Sequence, residues 1–153
     1  MKKNLICYAI GFLTLFLSQS TFAQTSVTNL NVTDWTEIES PNAQLFEIYY
    51  ETQTCPMAGT DVVQEYVVLS FNNITDLPIT LTYDLEFQYT NYCANCDATS
   101  PEFHYEITLN SNQSTSGTCD KSKSSGLRVF KQFTTIENKN TLKSFKVKNL
   151  EIL

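Results

Sequence analysis

The stretch Ile79–Thr90, ITLTYDLEFQYT, alternates for twelve residues without a break. Ile79, Leu81, Tyr83, Leu85, Phe87 and Tyr89 fall on one side, and Thr80, Thr82, Asp84, Glu86, Gln88 and Thr90 on the other. Successive side chains leave opposite faces of a pleated strand, so a period of two marks a strand with one face buried. Its β-branched and aromatic residues suit such a surface. A strand of this length needs neighbours on both edges and a second layer over its apolar face.

The rest of the chain supplies them. Val32–Ile38 reads as a short edge strand with Trp35 as a large apolar anchor, after a loose polar lead-in, Gln24–Asn31. Gln44–Thr52, Gln64–Asn72, Pro101–Leu109, Ser114–Cys119, Leu127–Phe133 and Leu142–Leu153 are further strands, separated by turn-forming Asn, Asp, Gly and Pro. The turn from Asn72 to Pro78 predicts a hairpin between Gln64–Asn72 and Ile79–Thr90. In the last strand the alternation slips by one residue, which predicts a bulge near Asn149. Seven or eight antiparallel strands without helical periodicity predict an all-β, immunoglobulin-like β-sandwich, with a small closed β-barrel as the alternative.

The first residues carry a different signal. Lys2 and Lys3 precede an apolar run, Leu5–Leu17, and small residues Thr21 and Ala23 follow. This is the pattern of a secretory leader, residues 1–23, cleaved after Ala23 and carrying Cys7 away with it. The run is too short for a membrane span, which takes about 20 residues. Residues 24–153 then form a single domain with no membrane span, expected in the periplasm or secreted.

Removing the leader takes two lysines and no acid, leaving eight cations against 16 acids, a net charge of −8. The distribution is lopsided. Gln24–Asp120 holds fourteen acids and no Lys or Arg, whereas all eight cations lie from Lys121 onward. Either the basic C-terminal strands pair with acidic strands of the same domain, or one flank offers a basic surface to an acidic partner. The acidic balance and the lack of interleaved basic and aromatic residues exclude a nucleic-acid interface.

Four cysteines remain: Cys55, Cys93, Cys96 and Cys119. In an exported chain an even count reads as a disulfide framework. Strand direction brings all four to one pole, which favours Cys55 with Cys93 or Cys96 and Cys119 with the other. A Cys93–Cys96 bridge, leaving Cys55 for Cys119, is the remaining option. Cys93-Ala94-Asn95-Cys96 also has the spacing of a thiol oxidoreductase, but no helix follows to lower a thiol pKa. A four-cysteine zinc site conflicts with an oxidising compartment.

Other chemistry is sparse. His104, the sole histidine, stands between Glu102 and Glu106 on the polar face of its strand, a solvated-sheet arrangement more than a metal site or base. No catalytic motif and no calcium-loop spacing is present. Asp84 and Glu86 read as exposed carboxylates with cross-strand partners among Lys131, Lys146 and Lys148. The sequons at Asn31, Asn73 and Asn112 matter only in a host that glycosylates.

The order EYVVLSFNNITDLPITLTYDLEF, a double-cysteine loop, ITLNSNQSTSGTC, LRVFKQF and LKSFKVKNLEI resembles small exported β-sandwich proteins of Bacteroidota bacteria. The resemblance rests on strand patterning and cysteine placement and implies no activity. The expected function is therefore that of a non-enzymatic, exported module contacting a protein or envelope partner, without catalytic residues, metal or cofactor. One alternative is a thiol–disulfide or metal-handling protein working through Cys93 and Cys96. Another is a carbohydrate- or peptide-binding module using Tyr49, Tyr66 or Tyr92.

Overall fold

The computed structural model describes residues 23–97 and 99–153. The leader expected over residues 1–23 therefore lies outside the described residues except for Ala23. Five strands open the fold: β1 (Ala23–Val27), β2 (Thr36–Ile38), β3 (Phe46–Pro56), β4 (Val63–Asn73) and β5 (Ile79–Tyr89). Among the described residues five more follow: β6 (Cys93–Ala94), β7 (His104–Leu109), β8 (Ser114–Ser116), β9 (Arg128–Phe133) and β10 (Leu142–Ile152). Two single 3-10 turns, Pro101–Phe103 and Lys121–Lys123, interrupt the connections.

The strands form two five-stranded antiparallel sheets that do not close on each other. The expected β-sandwich is what forms, and the barrel is not. Sheet A runs β1-β10-β5, with β6 and β7 sharing the far side of β5. Sheet B runs β2-β3-β4, with β8 and β9 sharing the far side of β4. The four strands of 11 residues, β3, β4, β5 and β10, are all interior to their sheets, and every edge strand is shorter.

The apolar rows meet between the layers. Ile48 and Phe71 of sheet B and Leu81, Tyr83, Leu85 and Phe145 of sheet A are all fully buried. Each such side chain stabilises the fold by about 1.5–3 kcal/mol through burial. The tyrosines in this core keep their hydroxyls satisfied by crossing it. Tyr83 Oη donates to Gly126 O at 3.1 Å and Tyr89 Oη to Phe130 O at 2.8 Å, each joining β5 to the segment bearing β9. Burial raises both phenols above the ordinary tyrosine range, so they remain donors.

Three expectations need correction. The predicted hairpin does not form, because β4 and β5 belong to opposite sheets. Phe71 and Tyr83 instead face each other across the core, ring centroids 4.9 Å apart. The corner is built by Asn73, whose buried side chain donates to Leu77 O and Asn110 O at 2.8 Å and accepts from Thr75 N and Oγ1. With its amide held from several sides, residues 74–78 swing the chain from one layer to the other. The polar lead-in begins with β1, which pairs with β10. Trp35 is no core anchor: it precedes β2 and is 44% exposed.

The bulge near Asn149 is present. The β10–β5 register shifts between Lys148 and Glu151, and Asn149 adopts φ 50°.

Candidate functional site

The chemically richest surface is the outer face of sheet A. β5 sends Thr82, Asp84 and Glu86 outward, yet they are only 8%, 7% and 5% exposed. This corrects the reading of exposed carboxylates. A central strand is flanked on both sides, so long neighbouring side chains close over its polar row.

Lys146 lies directly across from Glu86, and its Nζ stands 2.8 Å from Oε1. Lys148 lies opposite Asp84 but reaches diagonally to pair with Glu86 Oε2. It does so because Asp84 is already engaged. His104 Nδ1 is 2.8 Å from Asp84 Oδ1, and the Asn149 amide, turned inward by the bulge, donates to Oδ2. His104 therefore pairs with neither Glu102 nor Glu106. Burial alone would raise the Glu86 carboxyl, but the hydrogen bonds and charges of Lys146 and Lys148 outweigh it and hold the group below the ordinary glutamate value.

The cysteines do not gather at one pole, and the favoured pairing of Cys55 with Cys93 or Cys96 is corrected. Cys55 is bonded to Cys119, Cα atoms 5.4 Å apart, and Cys93 to Cys96, Cα atoms 5.8 Å apart. The physical reason is the layer change after β4. Cys55 ends β3 on the outer side of sheet B, packed with Tyr66 and Val68, whereas Cys93 pairs with Gln88 at the edge of sheet A. The hydrophobic core separates them.

The small Cys93–Cys96 ring is clamped to β5. Asn95, at φ 59°, donates from its amide to Leu85 O at 2.9 Å and accepts Ser100 N at 3.1 Å. The ring lies against the buried pair cluster: both sulfurs and a Glu86 oxygen lie within 4.8 Å of one another, and Lys148 Nζ donates to Cys96 O at 3.4 Å. Cys93 is half-buried and Cys96 exposed. As a metal centre this group fits poorly. Both Glu86 oxygens already hold ammonium groups, and a divalent ion would sit beside two positive charges.

The outer face of sheet B has another character. Trp35 and Tyr49 share a shallow hollow of about 290 Å³ with Glu47, Ser70, Asn72 and Ser114. Glu47 Oε2 accepts from Tyr49 Oη at 3.0 Å and from Asn72 Nδ2 at 2.9 Å, and Asn72 Oδ1 accepts from Ser114 Oγ at 2.7 Å. The setting is acidic. Glu47 raises the Tyr49 phenol through its hydrogen bond and charge, and Glu37 adds to it. Burial and the charge of Asp34 raise Glu51.

Of the other aromatic candidates, Tyr66 is covered by Arg128, whose guanidinium carbon stands 4.2 Å from the ring centroid, and Tyr92 stacks on Tyr89. Lys131 serves sheet B rather than Asp84 or Glu86. It is buried, 3.1 Å from Glu65 and 2.7 Å from Leu30 O. The acidic and basic halves of the chain thus pair within the domain at Glu65 and Glu86. Among the described residues no helix is long and apolar enough to cross a membrane. No family model, curated protein or solved structure matches the chain.

Proposed function

We propose that the chain is an exported interaction module that docks a basic segment of a protein partner on the outer face of sheet B. The observation that carries this reading is the half-exposed pair Trp35 and Tyr49 set among Asp34, Glu37, Glu47 and Glu51. An aromatic surface ringed by carboxylates suits Lys and Arg side chains. The rings take the cation or its aliphatic stem, and the carboxylates supply the charge.

Export is supported by the leader pattern at residues 1–23 and by two disulfides. In this reading the sandwich is of the immunoglobulin-like kind, with the strands serving as a rigid display surface.

The test is calorimetry with Lys/Arg-rich and neutral peptides at low and high salt. Binding of the basic peptides alone, weakened by salt and reduced at least about tenfold by Trp35→Ala, is the expected result. Binding of neutral oligosaccharides instead, insensitive to salt, replaces the partner with a carbohydrate. Binding of basic peptides that Trp35→Ala leaves unchanged removes this face from the reading.

A further inference from the structure

The Cys93–Cys96 ring lies on the opposite sheet from the proposed docking face, and its surroundings answer the objection that its sequence raises. A reactive Cys-X-X-Cys needs a positive environment to stabilise a thiolate, commonly a helix N-terminus. Among the described residues no α-helix adjoins the motif, and the nearest helical element is the single turn Pro101–Phe103. The buried carboxylate of Glu86, one oxygen of which lies within 4.8 Å of both sulfurs, holds two ammonium groups, Lys146 and Lys148, and Lys148 also donates to Cys96 O at 3.4 Å. Lys146, Lys148 and Glu86 together carry two positive charges and one negative, while Asp84, two residues back on β5, is engaged by His104 and the Asn149 amide. A single thiolate brings those three groups to neutrality beside a carboxylate that is itself buried.

We propose that Cys93–Cys96 is a thiol–disulfide exchange centre for a dithiol-bearing protein, with Lys146 and Lys148 stabilising the thiolate and Glu86 as the residue that positions them. The proposal goes beyond the docking reading and stands independently of it. Exposure fixes the order of events. A partner thiolate attacks the exposed Cys96 sulfur, the Cys93–Cys96 bond breaks, and the electron pair leaves on Cys93 as a thiolate beside the cluster. The partner's second thiol, as thiolate, attacks its own sulfur in the mixed disulfide and releases Cys96. The partner dithiol has then lost two electrons and two protons and become a disulfide. The ring has gained the two electrons; one proton goes to Cys96 and the other to Cys93 or to solvent.

The ring is built to survive this cycle. Asn95 ties it to Leu85 and Ser100 through hydrogen bonds that do not involve sulfur. Cys55–Cys119 provides an internal reference within the same molecule, since it joins β3 of the other sheet to the loop after β8, 64 residues along the chain.

The experiment equilibrates the folded protein in glutathione buffers of graded ratio, without denaturant. Alkylation and mass spectrometry then report which cysteines have opened. Cys93 and Cys96 are expected to open at least about tenfold faster than Cys55 and Cys119, and at a more oxidising ratio. The reduced protein should show thiolate absorbance near neutral pH. Lys148→Met alone, which leaves Lys146 to neutralise Glu86, should move that titration up toward the ordinary cysteine value of about 8.5. A Cys93→Ser variant should trap glutathione on Cys96; where that variant fails to fold, the alkylation order in the unaltered chain decides. Opening of both disulfides together, opening only on unfolding, or a thiol titration that the lysine variant leaves unmoved overturns the proposal.

Discussion

Lys146 and Glu86 sit directly opposite each other on β10 and β5, Nζ to Oε1 2.8 Å, with the Glu86 side chain only 6% exposed. Their contact is the centre of a buried cluster rather than a solvated cross-strand pair. The distinction changes what each substitution should do.

Lys146→Met or Lys148→Met alone should cost about 1 kcal/mol, because the other lysine still neutralises Glu86. Both together leave a buried carboxylate with no counter-charge and should cost about 3–5 kcal/mol. Urea unfolding of the two single variants and the double variant measures the difference. Additive, small effects would mean that the carboxylate is solvated after all.

Acid should expose the same cluster. Folding holds Glu86 below the ordinary glutamate value of 4.5, so it favours the ionised form. The stabilisation is complete above that value and is lost as pH falls through the lowered one. Unfolding midpoints measured from about pH 6 to about pH 3 should therefore fall more steeply for the unaltered chain than for the double lysine variant.

Gly126 should resist replacement. It adopts φ 69°, and a Cβ there would stand 2.5 Å from two ring carbons of Tyr105 and 3.0 Å from Tyr83 Oη. Gly126→Ala adds left-handed strain to a clash inside the core and should cost more than about 2 kcal/mol. A thermal shift of under a degree would show that the Tyr105 ring moves aside freely.

Removing the long disulfide should be the most damaging covalent change. Cys55→Ser with Cys119→Ser opens a span of 64 residues. Loop-closure entropy alone puts the loss at about 4 kcal/mol. The measurement is the unfolding midpoint of the double-serine variant, and a loss below about 1 kcal/mol would place the staple outside the folding energetics.

The strand frame was readable from residue type and period because each alternating run obeys local physics. Ile79–Thr90 is β5 almost to the residue, and the slipped alternation around Asn149 is a bulge. What escaped depended on which layer a strand joins. Asn72 to Pro78 has the composition of a hairpin turn, and only the several hydrogen bonds of Asn73 reveal a corner between sheets. That one choice also decided the disulfides, since it placed Cys93 and Cys96 across the core from Cys55. Burial of Glu86 was invisible for a related reason: an outward position on a central strand looks exposed until its neighbours' side chains are known. Trp35 misled in the other direction, because size and apolarity mark recognition surfaces as well as cores.

The placement of the four long strands inside their sheets bears on how crowded molecules of this protein meet. Ile79–Tyr89 has the composition of a segment that stacks readily into cross-β assemblies. In the folded chain its two backbone edges are hydrogen-bonded to β10 and to β6 and β7, and the strands left at the rims span two to six residues. Rims that short give an incoming chain little backbone to copy. Fibril seeding is thereby tied to loss of β10 or β7 from β5, and the lag before aggregation should follow the opening of sheet A rather than protein concentration alone.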